Sequence, residues 1–459
     1  MTTSEARESL LPATARALLH RVAVAQAEGR APSFVGGLMR GGALVWSAGR
    51  SADEHRVPDA DTQYRIGSLT KMFTAVLVLR LREEGLIDLA EPVAAHLPEA
   101  APAGSATVAQ LLAHTSGLAA ETGGPWWERT PGEVRPRLTD VFGEEPLLHP
   151  AGRTHHYSNP GYAILGALVA QVRGTTWERA LRREILAPLG MERTTTAPEP
   201  PHAEGWAVHP FADVMQPEPA VDTGRMAPAG ELWSTAADLA RFAGFLLDGD
   251  PRILPVETLR EMRAPASGPN DPNWSAGYGL GFGLVRTEGR VLFGHGGSMP
   301  GFLASLWVSE EDALAGIALA NATSGPATGD VACDLVRLTR DHEPRIPEPW
   351  RPASEADPEL LALTGTWYWG TRAHTLRVTS GRNLSLTALD GGGRASRFRP
   401  EPDGTWRGLD GYYAGERLRP VTTAEGTYLD LGSFVFTRAP YEPSAVLPGG
   451  ADPRGWSGA

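Results

Sequence analysis

Ser68 and Lys71 stand three residues apart in the stretch YRIGSLTKMFTAVLVLRLREEG, residues 64–85. Lys71 is the only lysine in the chain, so 41 of the 42 Lys plus Arg are arginines. Residues three apart on a helix share a face. A helix that starts at Ser68 therefore makes its hydroxyl and the Lys71 amine neighbours. At such a start the first-turn N–H groups have no partners and the helix dipole is positive. A hydroxyl there ionises more readily, and the oxyanion left on an attacked carbonyl meets backbone donors. Gly67 lets the chain turn in tightly just before it. A serine nucleophile needs a base. Lysine can serve when burial and nearby positive potential leave its amine neutral. Arginine, with a pKa above about 12, cannot. That is a physical reason to keep one lysine in a chain that otherwise uses arginine. The plainer reading is a serine helix cap followed by a solvated lysine, and Ser-x-x-Lys alone is a weak signal.

Two further stretches add chemistry. In HPAGRTHHYSNPGY, Tyr157 and Asn159 lie two apart, a spacing that points both side chains into one cleft when the segment is extended. Tyr157 offers a phenol to relay a proton between Ser68, Lys71 and a leaving group. Asn159 offers an amide to a substrate amide and to the Lys71 amine. In FGHGGSMPGF, His295 precedes Gly296, Gly297 and Ser298 on or after a strand. The two glycines allow a substrate close to the backbone, and the Ser298 N–H supplies a second oxyanion donor beside that of Ser68. The plain alternatives are a Tyr157 packed as core, a helix N-terminal turn at SNPG and a structural His295.

These residues need a scaffold. A length of 459 residues corresponds to two or three compact units. The apolar (42%) and charged (21%) fractions are those of a globular protein. Residues 1–30 read as an amphipathic helix, SFVGGLMRGGALVWSAGR as a hairpin turning at Arg40-Gly41-Gly42, and residues 64–85 as one long helix ended by Gly85. Residues 86–265 read as mainly helical. Strands return over 277–322, and TGDVACDLVRLTR closes the unit as a helix. The predicted fold class is α+β: an antiparallel sheet flanked by helices, with a helical subdomain, over residues 1–341. The Pro- and acid-rich residues 342–357 read as a linker. About eight short strands over 358–440 read as a small antiparallel β-barrel, and 441–459 as a flexible tail. Cys333, the one cysteine, excludes an internal disulfide and any cysteine metal cluster, and reads as a buried inert thiol. The net charge of −12 argues against nucleic acid and anionic membrane surfaces as partners. The N-terminus has no secretory pattern and no run reaches 18 apolar residues, so a cytoplasmic location is expected.

The three motifs, in this order, resemble the serine β-lactamase and penicillin-binding-protein superfamily, in its class C branch. The second box, Tyr157-Ser158-Asn159, is that of class C. The third, His295-Gly296-Gly297, stands in place of Lys-Thr-Gly, as in esterase- and peptidase-like members. TVAQLLAHTSGL, ILAPLGMERT, APAGELWSTAADLARFAGFLL and YGLGFGL carry the resemblance over about residues 15–340, and the barrel is similar to the lipocalin-like domain of some members. The resemblance implies Ser68 as the acylated nucleophile and Lys71 and Tyr157 as the proton-transfer pair. It implies Asn159 and His295 as substrate-positioning groups, and the N–H groups of Ser68 and Ser298 as the oxyanion hole. It implies no cofactor and no metal; His155-His156 is an isolated pair without ligand spacing. An imidazole holds a penicillin carboxylate less firmly than an ammonium does. The chain most resembles the penicillin-binding-protein-type thioesterases, stand-alone cyclases of nonribosomal peptides. This implies a peptide or small acyl (thio)ester substrate, presented on a carrier protein and macrocyclised head-to-tail. The alternatives are a cytoplasmic esterase or D-stereospecific peptidase, and an acylated sensor without turnover. Trp233 and the Trp126-Trp127 pair are candidate cleft walls, Arg438 is a candidate to reach a substrate terminus, and His114 in HTSGL reads as holding a turn near the site.

Overall fold

Phe302–Ser309 and Leu314–Ala320 are apolar along almost their whole length, the pattern of strands covered on both faces. The computed structural model describes residues 10–448 except 269–274, 348, 351, 353–356, 425, 443 and 445. The expected tail beyond 448 and part of the expected linker thus lie outside the described residues. The chain divides into two compact units, residues 1–346 and 347–459. The first holds a seven-stranded sheet of β1 (Ser33–Arg40), β2 (Ala43–Ser51), β3 (Ala276–Tyr278), β4 (Gly283–Thr287), β5 (Arg290–Met299), β6 (Phe302–Ser309) and β7 (Leu314–Ala320), in the order β2-β1-β7-β6-β5-β4-β3. All of its described pairings are antiparallel.

Alternation along β1 shows why both faces are filled. Phe34 and Leu38 pack on α1 (Pro12–Glu28) and α6 (Thr328–His342), beside Leu18, Val22 and Leu335. Val35 and Met39 point the other way, into the larger core shared with the helical part. That core surrounds α2 (Thr70–Glu83), whose residues from Thr70 to Leu79 are all buried. Around it lie α3 (Val108–Leu112), α4 (Asn159–Arg173) and α5 (Ala236–Asp248). No helix among the described residues is long and apolar enough to cross a membrane.

Two expectations are corrected. Residues 64–85 are not one helix. Tyr64–Arg65 form a short strand paired with Trp233–Ser234, a 3-10 turn spans Gly67–Leu69, and α2 begins only at Thr70. Gly67, with φ 53°, breaks the helical path there. The helical reading of 86–265 fails in one stretch: between Gly117 and Ser158 the chain has 3-10 turns at Trp127–Arg129, Gly132–Val134 and Leu138–Val141 and a bridge between Leu118 and Leu147. Pro125, Pro131, Pro136, Pro146 and Pro150 punctuate that segment and deny it a helical ladder.

The second unit is an eight-stranded antiparallel meander, β8 (Gly365–Trp369) to β15 (Phe434–Phe436), each strand paired with the next. A bridge between Tyr368 and Thr437 brings the last strand back to the first, so the barrel is nearly closed. Trp367, Leu376, Leu386, Phe398, Leu418 and Leu429 fill its interior. Arg438 does not stand ready for a substrate. Its guanidinium lies 3.8 Å over the Trp367 ring and donates to Thr364 O at 2.8 Å and to Ala362 O. These carbonyls end the helix Pro358–Leu363 and lack helical partners. Arg438 thus satisfies them.

Candidate active site

Two stretches of backbone meet at the nucleophile. Gly67 sits at φ 53°, and a Cβ on it would lie 2.7 Å from both N and O of Ser298. A Cβ on Gly297 would lie 2.0 Å from Ile66 O and 3.0 Å from Ser68 N. The 66–68 turn and the end of β5 therefore abut with no side chain between them. The two N–H groups named as oxyanion donors, of Ser68 and Ser298, belong to these touching segments. Gly296 differs: its missing side chain would point to the opposite face, with Ser305 Oγ nearest at 3.9 Å.

Lys71 Nζ lies 2.9 Å from Ser68 Oγ and donates to Ala229 O at 2.7 Å. Ala229 belongs to the short helix Ala227–Gly230. Lys71 is fully buried, and desolvation pushes its amine down to about 7 against the pull of Glu121 and Glu128, which favour the ammonium. Burial pushes the Tyr157 phenol well above the ordinary tyrosine range, against a smaller lowering by the Ser68 side chain. The Tyr157 ring centroid is 4.9 Å from Lys71 Nζ. Such a pair can divide the work: an amine able to be neutral near pH 7 can take a serine proton, and a phenol that keeps its own proton can give it away.

This carries a pH dependence. With Lys71 as the base, its neutral form is the active one, and kcat/KM for an ester should rise with pH through about 7. Glu121→Gln removes a carboxylate that stabilises the ammonium, so the limb should move to lower pH. A pH–rate profile of the two proteins checks this; an unmoved limb would mean that Glu121 does not act on Lys71.

The second box is held by residues 114–121. His156 N donates to His114 O at 2.8 Å, Ser158 N to His114 Nδ1 at 3.0 Å and Asn159 N to Ala120 O at 2.9 Å. Ser158 Oγ donates to Ala119 O and, by accepting from Gly161 N, caps α4. Asn159 Nδ2 donates to Glu121 Oε1 at 2.9 Å, and Trp127 Nε1 donates to Glu121 Oε2 at 2.7 Å. Asn159 thus bonds Glu121, whereas the Lys71 amine bonds Ser68 and Ala229. Glu121 and Ala229 escaped the sequence reading because their roles come from long-range bonds that leave no local spacing.

At the third box, His295 is buried, and desolvation with help from Lys71 lowers its imidazole to about 4. Its Nδ1–H donates to Gly296 O, and Nε2 accepts from the Tyr278 hydroxyl at 3.1 Å. The ring is neutral at pH 7 and both nitrogens are engaged, so it brings no positive charge to a substrate carboxylate. Tyr278, in YGLGFGL, is the residue that orients it. Trp233 is not a cleft wall. It is buried, pairs with Arg65 and meets Phe302 edge-on at 5.0 Å, because its short strand is the partner of Tyr64–Arg65 under the nucleophile. Of the other pair, Trp127 is buried and bonds Glu121, while Trp126 is 55% exposed.

Comparison with known proteins agrees with this geometry. Residues 18–340 match the Beta-lactamase family, and residues 356–438 match a Domain of unknown function (DUF7586). The chain is 30% identical to Penicillin-binding protein 4 of Amycolatopsis lactamdurans over 332 residues, 67% of this chain and 84% of that one. It is similar to a D-stereospecific amidohydrolase from Streptomyces sp., at 26% identity and TM-score 0.59, over 71% of this chain and 97% of that one. It is also similar to SurE, solved with D-Leu, at 25% identity and TM-score 0.56, over 94% of this chain and all of that one.

Proposed function

The chain belongs to the β-lactamase family of serine acyl-enzyme hydrolases, and on that premise we propose that it off-loads and macrocyclises a nonribosomal peptide thioester head-to-tail through a Ser68 acyl-enzyme. The observation that carries the acyl-transfer chemistry is a fully buried Lys71 amine, lowered to about 7, at 2.9 Å from Ser68 Oγ. Lys71 takes the serine proton as Oγ bonds the thioester carbon. The C–S bond then breaks and the thiolate, of ordinary pKa about 8.5, takes a proton by way of Tyr157. The peptide's own amine next attacks the ester, forming C–N and breaking C–Oγ. Its proton returns through the same pair to Ser68. Holding that amine near the ester and keeping water out are the main demands. Three features support this reading. The resemblance to stand-alone peptide cyclases includes the barrel. The similarity to SurE spans both units, and that protein was solved with D-Leu. The neutral His295 offers no cation to a carboxylate-bearing β-lactam. In this reading the protein works in the cytoplasm on a carrier-bound peptide.

A second reading is favoured by one observation: the first unit is similar to nearly the full length of a D-stereospecific amidohydrolase. Water then resolves the same acyl-enzyme, and the enzyme is a D-specific amidase or esterase. A linear peptide thioester with a D-residue at its C-terminal end separates the two. Loss of thiol without gain of water, read by mass, is the expected result. Hydrolysis alone would move the assignment to the amidase. An adduct on Ser68 that never turns over would make the protein an acylated sensor.

A further inference from the structure

We propose that His114 is a positioning residue that fixes the Tyr157 phenol against Ser68. The proposal rests on the reading of Tyr157 as the proton-transfer group. His114 follows α3, whose end it closes. Thr115 N donates to Gln110 O at 2.8 Å and His114 N to Leu111 O at 3.3 Å, the bonding of a Schellman cap. His114 occupies the left-handed position of that cap, with φ 55°. Glycine takes this position without strain, and asparagine, aspartate and histidine take it more often than other side chains do.

What distinguishes this cap is what the histidine touches. His114 grips the tyrosine from three sides. Its carbonyl accepts from residue 156, its Nδ1 accepts from residue 158, and its ring lies 4.2 Å from the Tyr157 ring between them. Since Nδ1 accepts an amide N–H, the ring proton is on Nε2. Nε2 is buried and has no hydrogen-bond partner. The other rings around it are Tyr278, Tyr162 and His155, at 4.7, 5.1 and 5.9 Å. Burial, aided by Lys71 and His295, holds the imidazole neutral. It touches neither Ser68 nor the Lys71 amine by any hydrogen bond described, so its influence passes through Tyr157.

The test uses one D-amino acyl group as two esters. A nitrophenyl ester leaves without needing a proton; the matching alkyl ester leaves only if its alkoxide is protonated. Tyr157→Phe should lose far more kcat on the alkyl ester than on the nitrophenyl ester. His114→Gly suits the left-handed backbone but removes the Nδ1 acceptor and the ring. It should show the same bias, about tenfold. His114→Asn keeps an acceptor at the Nδ1 place and tolerates the backbone, so it should keep a near-native ratio of the two rates. Where His114→Gly melts earlier than wild type, both rates are read at a temperature where it is folded. An equal loss on both esters, or none, with Tyr157→Phe biased, would overturn the role of His114 alone. A Tyr157→Phe protein without bias would overturn the assignment of Tyr157 and this proposal with it.

Discussion

Lys71→Arg is expected to lose about 10²–10⁴-fold in kcat/KM, as much as Lys71→Ala, although it keeps the charge. The reason lies in what the site asks of position 71. Nζ donates to Ala229 O and faces Ser68 Oγ with no room for solvent. A neutral amine can keep the first bond and still use its lone pair on the serine hydroxyl. A guanidinium has no lone pair to offer and stays protonated. It also brings a permanent charge into a pocket whose desolvation already pulls the lysine down to about 7, so the Arg protein should melt earlier than wild type. Lys71→Met separates the two effects, since it removes base and charge together while filling much of the space. The expected pattern is equal loss of acylation in all three variants, with the lowest melting temperature for Arg. Acylation is read as the mass of the Ser68 adduct against time. An Arg variant that acylates at near-native rate would show that Lys71 supplies only positive potential, and the division of roles between Lys71 and Tyr157 would fall.

The parts of this site that could be read in the sequence are those whose chemistry is local. Ser68 and Lys71 are neighbours because one turn separates them, and the structure places them 2.9 Å apart. The β1–β2 hairpin and β6 are local too: their apolar runs and the Gly41-Gly42 turn stand where the pattern put them. What could not be read is what depends on pairing across the chain. Glu121 holds Asn159 from 38 residues away, with Trp127 on its other oxygen, and no periodicity announces it. Trp233 read as a candidate cleft wall, and no local pattern shows which way its ring turns. Its short strand in fact turns the ring into the core against Phe302. Arg438 looked free at the end of a strand, but the carbonyls it satisfies lie at the end of a helix about 75 residues earlier. The long helix expected over 64–85 was misjudged at its start for the same reason. Tyr64–Arg65 takes a partner at 233–234, which local propensity cannot see.

Gly297→Ala tests the other half of the chemistry, the oxyanion hole, and is expected to lower kcat by about 10²–10³-fold. The new methyl would stand 2.0 Å from Ile66 O and 3.0 Å from Ser68 N. Both are backbone atoms, so no rotamer relieves the clash; the end of β5 must move away from the 66–68 turn. That motion separates the Ser68 and Ser298 N–H groups, the two donors proposed for the oxyanion. Gly296→Ala is the matched control. Its methyl would point to the far face, meeting nothing nearer than Ser305 Oγ at 3.9 Å, and should lower kcat far less. Overpacking at 297 should also cost stability, about 1–3 kcal/mol, so both proteins need melting curves and rates at a temperature where each is folded. The rate loss should appear in acylation of nitrophenyl and alkyl esters alike, because the oxyanion forms whatever leaves. This separates it from the leaving-group bias expected of Tyr157 and His114. If Gly297→Ala melts earlier but turns over at the native rate, Ser298 is not an oxyanion donor, and the close approach of β5 to the nucleophile serves packing alone.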